Sequence, residues 1–169
     1  ASSASELVTE LLQYIADPTD LTRAEAEALL AGIVLDTKNF SMRTGGRTFE
    51  AAAFLRRNGA DVVRVRKLFR DKLEDYKARA EAIQKAEIFK EYFAISECPA
   101  EGIESPTVVG AQAANEMLDI VGIKASFVLT HLDDTIYFSA RSIDEINVQI
   151  MMEKMGGGGH RTIAGAQLK

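Results

Sequence analysis

Cysteine is nearly absent: Cys98 is the one thiol in the sequence. A lone thiol cannot close an internal disulfide, so no disulfide framework builds this fold, and a reducing compartment is the simplest expectation. Positive charge is also short, with 20 Lys and Arg against 25 Asp and Glu and a net charge of −5. That balance argues against broad electrostatic binding to nucleic acid, which needs a basic surface, and leaves room only for a small nucleotide in a local basic pocket. No run of 18 apolar residues occurs, so no segment is expected to span a membrane. The start shows no signal-peptide pattern. The opening Ala1-Ser2-Ser3-Ala4 lacks a methionine, and the chain stops soon after a strand begins, as expected of an excised piece.

What is present suits a soluble globular protein: 169 residues, 47% hydrophobic and 27% charged, enough for one ordinary domain or two small ones. The first half reads as helical. Ser5 is an N-cap candidate for a helix carrying Val8, Leu11, Leu12 and Ile15 at helical spacing, ended by Asp17-Pro18. Thr22-Arg23-Ala24-Glu25 is a capping box for an apolar helix from Ala24 to about Leu35. Asp36 falls at its C-terminal edge, where the helix dipole disfavours a carboxylate unless a cation is near. By residue type alone Asp36 reads first as a solvent-exposed turn residue. Residues 37–47 form a polar loop. Thr48 is expected to cap a helix from Phe49 to Arg57, and Asp61 one from Val62 to Phe69. A charged helix from Asp71 to about Ala86 reads as solvated along Asp75, Lys77, Arg79, Glu81 and Lys85.

The second half changes rhythm, which places a boundary in or near residues 69–76. Ile88 to Glu97 reads as a strand. Ser105-Pro106 opens a helix from Thr107 to Val121 with Val121 on its apolar side. Lys124–Leu132 and Thr135–Ser142 form a hairpin across Asp133-Asp134. Asp144 is expected to cap a helix from Glu145 to Met155, and a last strand starts near Ala164. Strand, helix, strand, strand, helix, strand predicts an α/β fold with one mixed sheet flanked by helices.

Between that last helix and strand lie Gly156, Gly157, Gly158, Gly159 and His160. Four consecutive glycines are entropically costly to order, so a chain that keeps them needs backbone free of Cβ atoms. The run predicts either N–H groups aimed at an anion such as phosphate, or closely packed backbone. His160 at its edge can donate to a phosphate, or hold the glycine loop structurally. Ser139 and Arg141 share one face of their strand because side chains alternate. Arg141 offers phosphate a bidentate fork, or is a plain surface arginine. His131 carries no assigned role.

Gly-Gly-Gly-Gly-His followed by Thr-Ile-Ala-Gly-Ala-Gln resembles the glycine-rich signature of the DHH-associated domain, the substrate-binding half of the DHH phosphoesterases. Leu35-Asp36-Thr37-Lys38-Asn39-Phe40-Ser41-Met42-Arg43-Thr44-Gly45 resembles the last metal-ligand motif of the catalytic half. With Arg47-Thr48-Phe49-Glu50-Ala51-Ala52, the resemblance narrows to the membrane-anchored bacterial phosphodiesterases that hydrolyse cyclic di-AMP. It runs from about Ser2 to Leu168. It implies that residues 1–70 are the helical C-terminal part of a DHH catalytic domain and residues 71–169 a DHH-associated substrate-binding domain.

The resemblance also implies hydrolysis of cyclic di-AMP to a linear dinucleotide by two manganese ions held by aspartates and histidines. Of those ligands only Asp36 is here. There is no Asp-His-His triplet and no His-x-Asp-x-Asp motif, so no catalytic set is complete and the piece is expected to bind nucleotide without turning it over. Substrate contacts carried over by the resemblance are the glycine run, His160, Ser139 and Arg141, with Phe40 stacking on a base and Arg43 meeting a phosphate. Long nucleic acid and membrane contact are not expected of this piece. The parent is implied to be a homodimer anchored in the bacterial cell membrane, with this part cytoplasmic. Competing readings are a DHH-family oligoribonuclease or single-strand exonuclease, and a non-catalytic nucleic-acid-binding module such as the one appended to alanyl-tRNA synthetases.

Overall fold

A computed structural model describes residues 1–15, 20–143 and 145–169. Among these residues seven helices and six strands form two compact units, Ala1–Arg70 and Asp71–Lys169. The expected α/β class with a mixed sheet is what the chain adopts.

The first unit is helical: α1 Ala4–Ile15, α2 Arg23–Asp36, α3 Gly46–Arg57 and α4 Val62–Leu68. Its core is Ala26, Leu30, Ile33, Ala51, Leu55, Ala60 and Val65. The Thr22–Glu25 capping box forms as read, and the Asp61 carboxylate accepts from Val63 N at 2.9 Å to start α4. Two expected caps shift. Ser3, not Ser5, caps α1, its hydroxyl accepting from Glu6 N at 3.0 Å. Gly45, not Thr48, stands at the N-cap of α3, because Thr48 is already one turn inside and its hydroxyl donates to the buried Glu6 carboxylate at 2.8 Å. Burial opposes ionisation of Glu6, but hydrogen bonds from Ser2 and Thr48 outweigh it and lower its pKa. The Asp17-Pro18 stop lies outside the described residues.

The second unit runs α5 Leu73–Gln84, β1 Glu87–Phe89, β2 Phe93–Cys98, α6 Pro106–Met117, β3 Ala125–Leu132, β4 Thr135–Ser142, α7 Val148–Glu153, β5 Gly158–His160 and β6 Ile163–Leu168. Strand order is β1-β2-β3-β4-β6-β5. β2 and β3 pair in parallel across the α6 crossover, and the other neighbours pair antiparallel. One face packs on α5 and α6 through Ala82, Ala94, Cys98, Ala113, Met117 and Val128. The other packs on α7 through Ala140, Val148, Met152, Ala164 and Ala166. No described helix is long and apolar enough to cross a membrane.

Several sequence expectations are corrected here. The single strand expected over 88–97 is a hairpin, because Lys90 and Glu91 adopt positive φ values of 50° and 69° and turn the chain without a glycine or asparagine to signal it. α6 stops at Met117, and Val121 is 99% exposed rather than on an apolar side. α7 starts at Val148, where Asn147 Oδ1 accepts from Gln149 N at 3.1 Å. The Asp144 cap lies outside the described residues. Arg79 is not part of a solvated face: its side chain is 13% exposed and pairs with Asp71 and Glu116 between α5 and α6.

Candidate functional site

The glycine run divides into four different positions. Gly156 has φ +78° and its N–H donates to Glu153 O at 3.0 Å, while Gly157 N–H donates to Met152 O at 2.8 Å. That is a left-handed cap that closes α7. These two amides are spent on helix carbonyls, which corrects the expectation that the whole run holds its N–H groups free. A Cβ on Gly157 would sit 2.1 Å from Gly165 O, and one on Gly159 would sit 2.5 Å from Ala164 Cα. The chain therefore lies flat on β6 at both points. Gly158 differs. Its Cβ would meet nothing within 4 Å, and its backbone is not left-handed.

Register places the other expected residues. Directly opposed residues share a face of a sheet. Val128, Ser139, Gly165 and Gly158 form one row across β3, β4, β6 and β5. Ser126, Arg141, Ile163 and His160 form the next row on that same face. Both rows begin under α6, where Val128 and Ser126 are fully buried and the Ser126 hydroxyl donates to Ala114 O at 2.5 Å. The second ends in the open, where Ile163 is 54% exposed and His160 is exposed, while Gly165 and Gly158 at the end of the first are half-buried. Ser139, Arg141, Gly158 and His160 thus share a floor with α6 at one side. β5 is the sheet edge, so part of its backbone polar groups face outward.

Arg141 is the unusual member. Its Nη1 donates to Ala140 O at 2.9 Å and lies 3.5 Å from Ala164 O. Its Nε is buried and has no hydrogen-bond partner, the one such side-chain atom among the described residues. Desolvation by burial pushes its pKa below the ordinary arginine value. A partly buried cation paired with no carboxylate among the described residues destabilises the fold, and an anion on this floor would relieve the cost. Nothing in residue type marks this atom, so it was illegible in the sequence. The strand β5 was missed too, although the alternation of Gly157 and Gly159 against β6 has the period of a strand.

Asp36, Phe40 and Arg43 lie in the first unit. Asp36 is the last residue of α2 and is exposed. Beyond the Thr37 C-cap, Asn39 N–H donates to Val34 O at 2.8 Å and Lys38 N–H to Leu35 O at 3.2 Å, the paired bonds of a Schellman ending. Lys38, Asn39 and Phe40 have φ values of 45°, 57° and 63°, and Arg43 one of 52°. Three consecutive left-handed non-glycine residues are strained by roughly 1 kcal/mol each. Lys38→Gly is expected to raise stability by about 1 kcal/mol, read as a higher urea midpoint with unchanged slope. Phe40 already stacks on Phe49, with centroids 5.5 Å apart and rings 17° from parallel, so one of its faces is taken. Arg43 is exposed at a cleft also lined by Ser2, Glu6, Gly45, Gly46 and Thr48.

Among the described residues no three His, Cys, Asp or Glu side chains come together as a metal set. Asp36 stands as a single hard oxygen donor, and one carboxylate does not make a centre of the six or so ligands that a manganese-like ion takes.

Residues 92–169 match the model of the DHHA1 domain. The chain is 48% identical over 169 residues to the cyclic-di-AMP phosphodiesterase GdpP of Geobacillus thermodenitrificans, covering 99% of this chain and 26% of that protein. It is 47% identical over 170 residues to the cyclic-di-AMP phosphodiesterase PdeA of Listeria monocytogenes, covering 100% of this chain and 26% of that protein. The chain spans about a quarter of the length of these relatives. An exopolyphosphatase-related protein from Bacteroides fragilis matches with a TM-score of 0.85 at 21% identity, covering 98% of this chain and 51% of that one. That likeness is one of fold.

Proposed function

We propose that this chain is the nucleotide-binding part of a metal-dependent phosphodiesterase that opens cyclic di-AMP to a linear dinucleotide; the match of residues 92–169 to the DHHA1 domain supports the reading. The observation that carries the reading is the orphaned Nε of Arg141. A phosphodiester oxygen is the partner its position calls for: an anionic acceptor, reached over Gly158 and flanked by Ser139 and His160. The similarity over 99% of the chain to a protein named for cyclic di-AMP supports the choice of nucleotide.

Manganese, held in part by Asp36, would supply an activated water and charge neutralisation at the phosphoryl oxygens when bound. Among the described residues Asp36 is the one side chain we assign to such an ion. What this chain's own residues do is bind and orient. Arg141 holds the phosphate and Gly158 lets it come close to the backbone. Ser139 and His160 donate hydrogen bonds, and Gly156, Gly157 and Gly159 shape the strand that carries the site. Within the first unit, Arg43 offers a phosphate contact and the free face of Phe40 a base contact. The parent is a homodimer anchored in the bacterial membrane with this part on the cytoplasmic side. The net charge of −5 supports a small nucleotide over a long nucleic acid.

Calorimetric titration of the chain with cyclic di-AMP, with and without manganese, tests the reading. The expected result is binding whose affinity does not depend on manganese. If the linear dinucleotide binds and the cyclic one does not, the oligoribonuclease reading replaces this one. If neither binds in either condition, the site assignment falls.

A further inference from the structure

The floor beside α6 has a third row, and its chemistry differs from the other two. Thr130, Tyr137 and Gln167 oppose one another across β3, β4 and β6. They lie two residues along from Val128, Ser139 and Gly165, so their side chains share the face that carries Arg141 and Gly158. Thr130 is buried beside Gly110 of α6, Tyr137 is half-buried and Gln167 is exposed. β5 begins at Gly158 and contributes no residue to this row, which leaves Gln167 at its open end. The Ser139 and Arg141 rows hold a guanidinium, a hydroxyl, an imidazole and bare glycine backbone, groups that suit an anion. The third row holds a flat ring and a side-chain amide, which an anion does not need.

We propose that Tyr137 and Gln167 form a base subsite on this floor and select adenine. This subsite rests on the nucleotide reading of Arg141 and Gly158 and adds to it a base contact inside the second unit. Successive rows lie about 6.8 Å apart along the strands. That is the reach of one ribose, the group that separates a phosphate from its base. A base carried from a phosphate beside Gly158 therefore falls on the third row. The opposite direction leads past the Arg141 row to residues 161–162, where β5 turns into β6 and the floor ends. The Tyr137 ring supplies a π-face for stacking, a contact that every base accepts. Gln167 supplies the discrimination. Its amide sets a donor beside an acceptor. Adenine presents the complement, the N6 amino group beside N7, whereas guanine presents two acceptors on that edge, O6 and N7. Guanine would set O6 against the Gln167 carbonyl.

The test is calorimetric titration of the 169-residue chain with cyclic di-AMP and with its guanine counterpart, cyclic di-GMP. The parent chain is expected to prefer cyclic di-AMP by roughly tenfold or more. Gln167→Met keeps the length of the side chain and removes the amide. It is expected to melt with the parent, to weaken cyclic di-AMP by roughly tenfold and to leave cyclic di-GMP unchanged, which erases the preference. Tyr137→Leu is expected to weaken both ligands alike, and Tyr137→Phe to bind both as the parent does, because the ring and not its hydroxyl makes the contact. Arg141→Met, run beside them, separates the base from the phosphate. If Arg141→Met loses binding while Gln167→Met keeps the parent's preference, the base subsite is overturned and the phosphate site stands. Equal affinity of the parent for the two ligands overturns the subsite as well. A parent chain that binds neither ligand overturns the subsite and the nucleotide reading together.

Discussion

Arg141→Met is expected to abolish cyclic di-AMP binding and make the chain more stable. The two effects have one cause. Arg141 keeps a buried Nε without a partner and desolvation pushes down its pKa. Methionine fills similar space, has three rotatable bonds and leaves no polar atom unsatisfied. Removing an unsatisfied buried donor relieves about 1 kcal/mol or more. A higher urea midpoint with unchanged slope reads this directly. Against that gain, two charge-assisted hydrogen bonds to a phosphate are worth about 1.5–3 kcal/mol each. Losing them weakens binding by roughly 100-fold or more. If Arg141→Met lowered stability and left affinity alone, Arg141 would be a structural residue and the site would lie elsewhere. Lysine at this position is expected to recover little, since a point charge does not match the fork.

The second large effect separates the glycines of the run. Gly157→Ala is expected to cost about 3 kcal/mol or more, because its Cβ would sit 2.1 Å from Gly165 O and 2.6 Å from Ala166 Cα. Gly159→Ala behaves alike, with φ +144° and a clash at 2.5 Å with Ala164 Cα. Gly158→Ala is expected to fold normally, within about 1 kcal/mol of the parent, since open space surrounds its missing Cβ. It is nonetheless expected to lose nucleotide affinity by more than tenfold, because the new methyl stands where the ligand approaches the backbone. Thermal melts beside calorimetric titration of the three variants decide the matter. If Gly158→Ala bound normally, the floor beside Arg141 would not be where the phosphate lies.

Much of the fold was legible in the residues. The capping box at Thr22, the Asp61 cap, the Asp133-Asp134 turn and the apolar alternation of β3 and β4 are local signals, and they placed α2, α4 and the central hairpin. The errors were of another kind. Lys90 and Glu91 turn a hairpin that their residue types do not announce. β5 forms only because β6 lies beside it, and glycine has no strand propensity of its own.

Sequence alone singled out the residues proposed to meet the ligand and roughly where they sit along the chain: the glycine run, His160, Ser-x-Arg, and Asp36 in its motif. Local rules set these, since composition, alternation and turn chemistry act over a few residues. Tertiary structure decided which of them still have bonds to give. Gly156 and Gly157 spend their amides on α7, Gly158 is left open, and Arg141 is carried half-buried into a row with His160 without a partner for its Nε. It also turned the apolar stripe of α1 outward. Hydrogen-bond satisfaction and burial depend on neighbours far apart in sequence, which no local pattern encodes.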